Sequence, residues 1–258
     1  MSAEEAGNSP FLLILVRIHP MKTVVMLPTY NESKNIRDLI GILSGLPIEQ
    51  ATFLIIDDNS PDGTGKIADQ LASENPKVKV LHREKKEGLG RAYVQGFHYA
   101  IETLGADYIF CMDADFSHDP KMIPVFLETA KNADVVIGSR YIAEGKIVNW
   151  NWMRKLISAF GNLYARKVLG VPIRDLTTGF ICFRRRVIER IGLQQLAANG
   201  YVILVELKYR SFQHGFTIVE IPITFTERRE GASKFSLSIF REAFISILRL
   251  KRRKQGSI

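Results

Sequence analysis

The chain has 258 residues, 46% hydrophobic and 24% charged, enough for one large α/β domain and outside the composition of disordered, collagenous or disulfide-stapled proteins. The formal charge is +8, and Arg249, Lys251, Arg252, Arg253 and Lys254 supply five of those surplus charges. The main body is therefore only mildly basic, which argues against a whole-domain nucleic-acid footprint.

Residues 1–20 read as an extension outside the fold. Their longest apolar run, Phe11–Val16, is bounded by Pro10 and Arg17 and has neither the basic start nor the cleavage site of a leader. No run in the chain reaches the ~18–20 apolar residues that span a bilayer. From Met21 onward, strand-like segments (Lys22–Leu27, Thr52–Ile56, Val78–Leu81, Tyr108–Met112, Asp134–Ile137) alternate with helix-period segments (Asn35–Leu46, Thr64–Ala72, Leu89–Leu104, Lys121–Lys131). Such alternation predicts a mostly parallel central sheet with helices on both faces.

After about residue 150 the rhythm changes. Met153–Leu169 predicts a long helix with Leu156, Ile157, Phe160, Leu163 and Tyr164 on one side. Short strands at Gly179–Phe183 and Thr217–Ile221, and a helix at Val202–Gln213, follow. Leu237–Leu250 predicts an amphipathic helix with Leu237, Phe240, Phe244 and Leu248 in a stripe and a basic end. Cys111 and Cys182 lie in apolar runs without metal-ligand spacing, as buried reduced thiols of a cytosol-like compartment do.

Chemistry gathers at three strand ends: Pro28-Thr29-Tyr30-Asn31-Glu32, Asp57-Asp58-Asn59-Ser60-Pro61-Asp62-Gly63, and Asp113-Ala114-Asp115. In an open parallel sheet these ends form one ligand rim. Carboxylates at i and i+2 suit a hard divalent cation that would bridge a diphosphate. A bare DxD is weak, since paired acids also decorate loops, but here a buried strand delivers it to the rim. Asp57-Asp58 opens a turn and also offers a carboxylate to a nucleobase or ribose. Downstream, Arg140, Arg154, Lys155, Arg228, Arg229 and Lys234 offer cationic partners to phosphates. The stretch Arg-Arg-Glu-Gly-Ala-Ser-Lys that holds the last three (228–234) has the composition of a mobile lid. His118 stands near the DxD and reads either as a support behind its acids or, with more weight, as a turn or surface residue. No GxGxxG, P-loop, GxSxG or HExxH occurs.

Seven motifs occur in order: LPTYNE (27–32), IIDDNSPDGT (55–64), GLGRAY (88–93), MDADFSHDP (112–120), GSRY (138–141), RDLTTGF (174–180) and REGASK (229–234). With them the chain resembles the family 2 inverting glycosyltransferases of GT-A fold, and within these the polyprenyl-phosphate (dolichol-phosphate) mannose synthases. The resemblance implies an extension (1–20), a GT-A catalytic domain (21–235) and an amphipathic, basic C-terminal segment (236–258). It implies a nucleotide-sugar donor, GDP-mannose, held by Pro28, Tyr30, Glu32, Ile56, Asp58, Asp113, Ala114, Asp115, Arg140, Arg228 and Lys234. Asp113, Asp115 and Ser117 would hold Mg²⁺ or Mn²⁺; Ser117 stands where the family often has glutamine. Arg140, Arg154 and Ser158 would hold the phosphate of a polyprenyl acceptor, and Asp115 and Arg140 would be catalytic. The family's acceptor motif often carries a proline after the aspartate, where this chain has Leu176. The expected location is peripheral, on the cytoplasmic face of a membrane, with the last helix on the lipid, packed on the core, or docked to a small membrane-spanning partner. A uridine-nucleotide sugar transferase and a non-catalytic nucleotide-sugar binder are the alternatives.

Overall fold

The computed structural model describes residues 21–196, 200, 202–227 and 237–253. In chain order the elements are β1 (Thr23–Thr29), α1 (Ile36–Ser44), β2 (Ala51–Asp57), α2 (Thr64–Glu74), β3 (Val78–His82), α3 (Leu89–His98), β4 (Tyr108–Cys111), α4 (Ile123–Ala130), β5 (Val135–Ser139) and β6 (Lys146–Val148). There follow α5 (Trp152–Leu169), β7 (Ile181–Arg184), α6 (Arg185–Arg190), α7 (Val202–Gln213), β8 (Ile218–Pro222), β9 (Thr224–Thr226) and α8 (Leu237–Arg253).

Seven strands form one sheet in the order β3-β2-β1-β4-β7-β5-β8, and β6 pairs with β9 in a separate ribbon. All pairings in the large sheet are parallel except those of β7, which runs antiparallel to both β4 and β5. The predicted mostly parallel sheet with helices on both faces is therefore the architecture found. Alternate residues of β1 divide between two cores: Val24 and Met26 join Tyr93, Phe97 and Phe183 on one face. Val25 and Leu27 join Phe53, Phe110, Phe126 and Phe180 on the other. Burial on both sides explains why these strands read as unbroken apolar runs.

The predicted segments from Lys22 to Gln213 recur with shifts of a few residues at their ends. Leu89–Leu104 differs in kind: α3 ends at His98 and a wider π-type turn, Tyr99–Thr103, completes it. β6, β9 and α6 are too short to announce themselves by periodicity. The two cysteines are buried and reduced, and burial pushes both thiols above their ordinary range.

In α5, Asn151 caps the start by accepting from the Arg154 amide at 2.8 Å, and Gly170, at φ 69°, ends it in the left-handed conformation that glycine adopts without strain. Its apolar stripe does not turn inward. Only Asn162, Ala165 and Leu169 of this helix are buried, while Leu156, Phe160 and Leu163 face outward. No helix among the described residues is long and apolar enough to cross a membrane.

Candidate active site

The sheet order reverses direction at β1: β2 and β3 lie to one side, β4 to the other. A crevice opens at such a switch point beyond the carboxyl ends of the strands. Thr29 stands in register with Asp57, and the Met112 amide donates to the Met26 carbonyl at 3.2 Å. The segments after β1, β2 and β4 thus emerge side by side, and Tyr30, Asp58 and Asp115 share one rim.

The first two segments are laced together. The amides of Asn31, Glu32 and Ser33 donate to Ser60 Oγ (3.1 Å), Thr64 Oγ1 (2.9 Å) and Asp62 Oδ2 (3.1 Å). Burial opposes the charge of Asp62, but bonds from Thr64 and Ser33 outweigh it and hold the carboxyl below its usual range. The Glu32 carboxylate accepts from Asn35 Nδ2 at 2.8 Å. Pro28 and Ile56, the latter fully buried, form the strand floor beneath them.

Asp58 is more occupied than its sequence suggests. Its Oδ1 pairs with buried Arg83, which also reaches Glu87 (3.1 Å) and Gln95 (3.0 Å). The backbone of Glu87 and Gly88 also hydrogen-bonds Asp58, yet burial dominates and raises its pKa. Asp58 therefore ties the 83–88 loop to the rim. From that loop, Lys86 Nζ sits 3.3 Å from the centroid of the Tyr30 ring.

Beyond β4 the chain turns sharply. Phe116 takes φ 63°, a left-handed conformation unusual for a bulky residue, and this folds the Ser117 amide back onto Asp115 Oδ1 at 3.0 Å. Asp115 is buried, whereas the Asp113 carboxylate is one-third exposed at 33%. Ser117 Oγ is buried with no hydrogen-bond partner. No cluster of three His, Cys, Asp or Glu suited to a metal occurs among the described residues. Two carboxylates and one orphaned hydroxyl nevertheless fit Mg²⁺ or Mn²⁺, which favour oxygen ligands and leave positions for diphosphate oxygens and water. Asp113, Asp115 and Ser117 would hold the ion.

His118 is not at the surface. Its side chain is fully buried, stacked on Phe180 (5.1 Å) and edge-on to Phe225 (5.4 Å). Nδ1 accepts from the Asp113 amide at 3.3 Å, which places the proton of the neutral ring on Nε2. Burial lowers its pKa to about 4. The ring is a packed support for the DxD turn.

On the other side of the crevice, β5 delivers Arg140. Its Nε and Nη2 donate to the two oxygens of Asp175 at 2.8 Å each, and Nη2 also reaches Thr177 Oγ1 at 2.8 Å. Asn162 of α5 accepts from the amides of Leu176 (2.9 Å) and Thr177 (3.2 Å), and Glu220 of β8 accepts from those of Arg174 (2.8 Å) and Asp175 (2.9 Å). Lys208, fully buried in α7, donates to the carbonyls of Leu176 (2.8 Å) and Thr178 (2.7 Å). This loop reaches the DxD: a Cβ added to Gly179 would lie 3.3 Å from Asp113 Oδ1.

Arg140 and Arg154 meet at one ring. The Arg154 guanidinium carbon lies 3.9 Å from the Trp150 centroid and that of Arg140 lies 5.9 Å from it. Arg154 also pairs with Glu227 at 2.6 Å. Ser158 stands one turn after Arg154 on α5. A cavity of about 500 Å³ lies here, lined by Arg140, Tyr141, Ile147, Trp152, Leu156 and their neighbours. Arg228 and Lys234 lie outside the described residues.

Residues 24–192 match the profile described as "Glycosyl transferase family 2". The chain belongs to that family. It is a glycosyltransferase, as its similarity to named relatives also shows. It is 43% identical over 229 residues to the undecaprenyl-phosphate mannosyltransferase of Micrococcus luteus, covering 89% of this chain and 93% of that protein. It is equally 43% identical to the polyprenol monophosphomannose synthase of Mycolicibacterium smegmatis, covering 88% and 85%. The fold is shared with glucosyl-3-phosphoglycerate synthase from Mycobacterium tuberculosis, crystallised with Mn²⁺, uridine diphosphate and glucosyl-3-phosphoglycerate, at TM-score 0.64 and 19% identity over 90% of this chain and 80% of that one.

Sequence reasoning did not single out Arg83, Asn162, Asp175 or Lys208 as site residues. A signal existed for Asp175, which sits within the RDLTTGF motif.

Proposed function

We propose that this family 2 glycosyltransferase moves mannose from GDP-mannose to a polyprenyl phosphate, with inversion at the anomeric carbon. The observation that carries the reading is the juxtaposition across Gly179. An acidic turn suited to a cation and diphosphate adjoins an arginine pair suited to a second phosphate. A transferase joining a nucleotide-sugar to a phosphorylated acceptor needs both sites within one displacement. The names of the two 43% identical relatives support mannose and a polyprenyl phosphate as the partners.

A phosphate monoester has a second pKa of roughly 6 and is largely ionised at neutral pH, so the acceptor needs no dedicated base. Arg140 and Arg154 orient its oxygens toward C1 of the sugar. As the new phosphate–C1 bond forms, the bond from C1 to the donor's β-phosphate oxygen breaks, and GDP leaves with the electron pair. A divalent cation at Asp113, Asp115 and Ser117 supplies charge stabilisation to that leaving group when bound. Tyr30 offers its ring face to the base, and Asp58 with Arg83 fixes the loop beside it. Arg228 and Lys234, outside the described residues, would offer further cationic partners to the diphosphate. The enzyme works peripherally at the cytoplasmic face of a membrane.

The test is transfer of radiolabelled mannose from GDP-mannose into an organic-extractable, acid-labile product that requires added polyprenyl phosphate and Mg²⁺ or Mn²⁺. Label that stays in the aqueous phase with every polyprenyl phosphate tried would refute the reading.

A further inference from the structure

Trp150 has no part in the reaction outlined above, yet both acceptor-side arginines converge on its ring. The residue sits between β6 and α5. Asn149, at φ 66°, turns the chain through the left-handed region that asparagine tolerates, and Asn151 caps the helix that follows. The indole so placed meets the first turn of α5, where the Arg154 guanidinium carbon lies 3.9 Å from its centroid.

The ring is held by its faces and edges, not by its polar atom, because Nε1 is buried without a hydrogen-bond partner among the described residues. Arg140 commits Nε and Nη2 to Asp175 and Thr177. Its guanidinium carbon is otherwise surrounded by rings, 5.4 Å from the centroid of Tyr141, 5.9 Å from Trp150 and 5.1 Å from Phe225. A guanidinium is planar and weakly hydrated, so aromatic neighbours suit it.

Trp150 is also tied to the acidic turn. Phe225 packs edge-on against Trp150 at 5.4 Å and against His118 at 5.4 Å. It lies on β9, whose Thr226 amide donates to the Ser117 carbonyl at 3.2 Å. Phe225 stands in register with Ile147 of β6, the strand that leads to Trp150. The small ribbon thus connects the DxD turn to the arginine pair, with Trp150 just past its end.

We infer that Trp150 is a positioning residue whose ring sets how Arg140 and Arg154 stand relative to each other and to the acidic turn. It thereby fixes where the phosphate of an acceptor monoester sits. A cation against an indole is attracted by the ring quadrupole and keeps its N–H groups for an anion. Asp175 and Glu227 already engage one side of each arginine. A third carboxylate in the ring's place would occupy the remaining donors and repel the phosphate. The inference rests on the phosphate-acceptor reading above and deepens it.

The experiment compares wild type with Trp150→Leu and Trp150→Phe, and uses the ring as its own probe, since the chain has two tryptophans. In Trp152→Phe protein, a short-chain, water-soluble isoprenyl phosphate should change the Trp150 emission saturably, and the matching alcohol should not. Trp150→Leu should weaken binding of that phosphate and raise the acceptor KM, each about tenfold, while calorimetric affinity for GDP in Mn²⁺ stays unchanged. Trp150→Phe, which keeps a smaller π face, should recover most of the loss. A merely structural defect would instead lower GDP affinity in step with the thermal midpoint, and that pattern would overturn the inference. So would a wild-type acceptor KM in Trp150→Leu, or an emission indifferent to the phosphate. If the phosphate binds and Trp150→Leu weakens it, while wild type transfers sugar to no phosphate, the positioning role stands and the proposed reaction falls.

Discussion

Arg140 and Asp175 form a buried two-pronged ion pair, and the Arg140 amide adds a third bond to the same carboxylate at 3.0 Å. Burial opposes charge on both. Their mutual attraction nonetheless outweighs it, holding the Asp175 carboxyl below its ordinary pKa and the guanidinium above its own. Asp175 also accepts from the amides of Thr177 (3.3 Å) and Thr178 (3.1 Å), so it organises the loop as well as the arginine.

Removing the acid alone leaves a buried cation without its partner. Asp175→Ala is expected to cost about 3–5 kcal/mol, measured by urea denaturation, and Asp175→Asn distinctly less because it keeps the shape and part of the bonding. Equal stability of wild type and Asp175→Ala would contradict the structural role given to the pair.

Asp115→Ala removes a proposed cation ligand and the acceptor for the Ser117 amide. Turnover should fall at least about a hundredfold while the far-ultraviolet spectrum stays native. Chelation of the wild type should reproduce the loss, and Mg²⁺ or Mn²⁺ should restore it. Full activity in the presence of chelator would remove the metal from the reading.

Gly145 lies against the backbone of the residue that matters most on the acceptor side. A Cβ there would meet the Arg140 carbonyl carbon and the Ser139 oxygen at 2.8 Å each. Backbone cannot yield as a side-chain tip can, so Gly145→Ala should destabilise by about 1–3 kcal/mol and lower kcat/KM by displacing Arg140. An unchanged thermal midpoint with unchanged kcat/KM would count against that placement.

Burial lowers the pKa of Lys208 to about 7, against 10.5 for an ordinary lysine. The neutral amine still has two N–H groups for the two carbonyls it serves. Between pH 7 and 10 the unfolded chain binds the extra proton, so this residue's contribution to stability rises with pH, by up to about 1.4 kcal/mol per unit. The stability difference between wild type and Lys208→Met should therefore shift in favour of wild type as pH is raised from 6.5 to 9. A difference independent of pH would show that Lys208 keeps its proton throughout.

The first half of the fold was legible because strands buried on both faces and helices buried on one leave different periodicities, and the three acidic or polar strand ends follow from a parallel sheet. β7 was harder to place: its short apolar run gives no sign that it inserts antiparallel between β4 and β5. Periodicity also reports that α5 has an apolar side without reporting where that side points. Of the two readings of His118, the turn or surface one weighed more because a histidine among Ser, Asp and Pro reads as a turn, while its burial behind the DxD depends on Phe180 and Phe225, distant in sequence. Asp58 was visible as a rim carboxylate, but the arginine that occupies it comes from the end of another strand.

The most direct measurement is kcat/KM for GDP-mannose and for UDP-glucose with one polyprenyl phosphate acceptor, under the same metal and detergent conditions. A value for GDP-mannose at least about a hundredfold higher, with mannosyl-phosphoryl-polyprenol as product, is the expected result. Preference for UDP-glucose, or no transfer to a lipid phosphate from either donor, would contradict it.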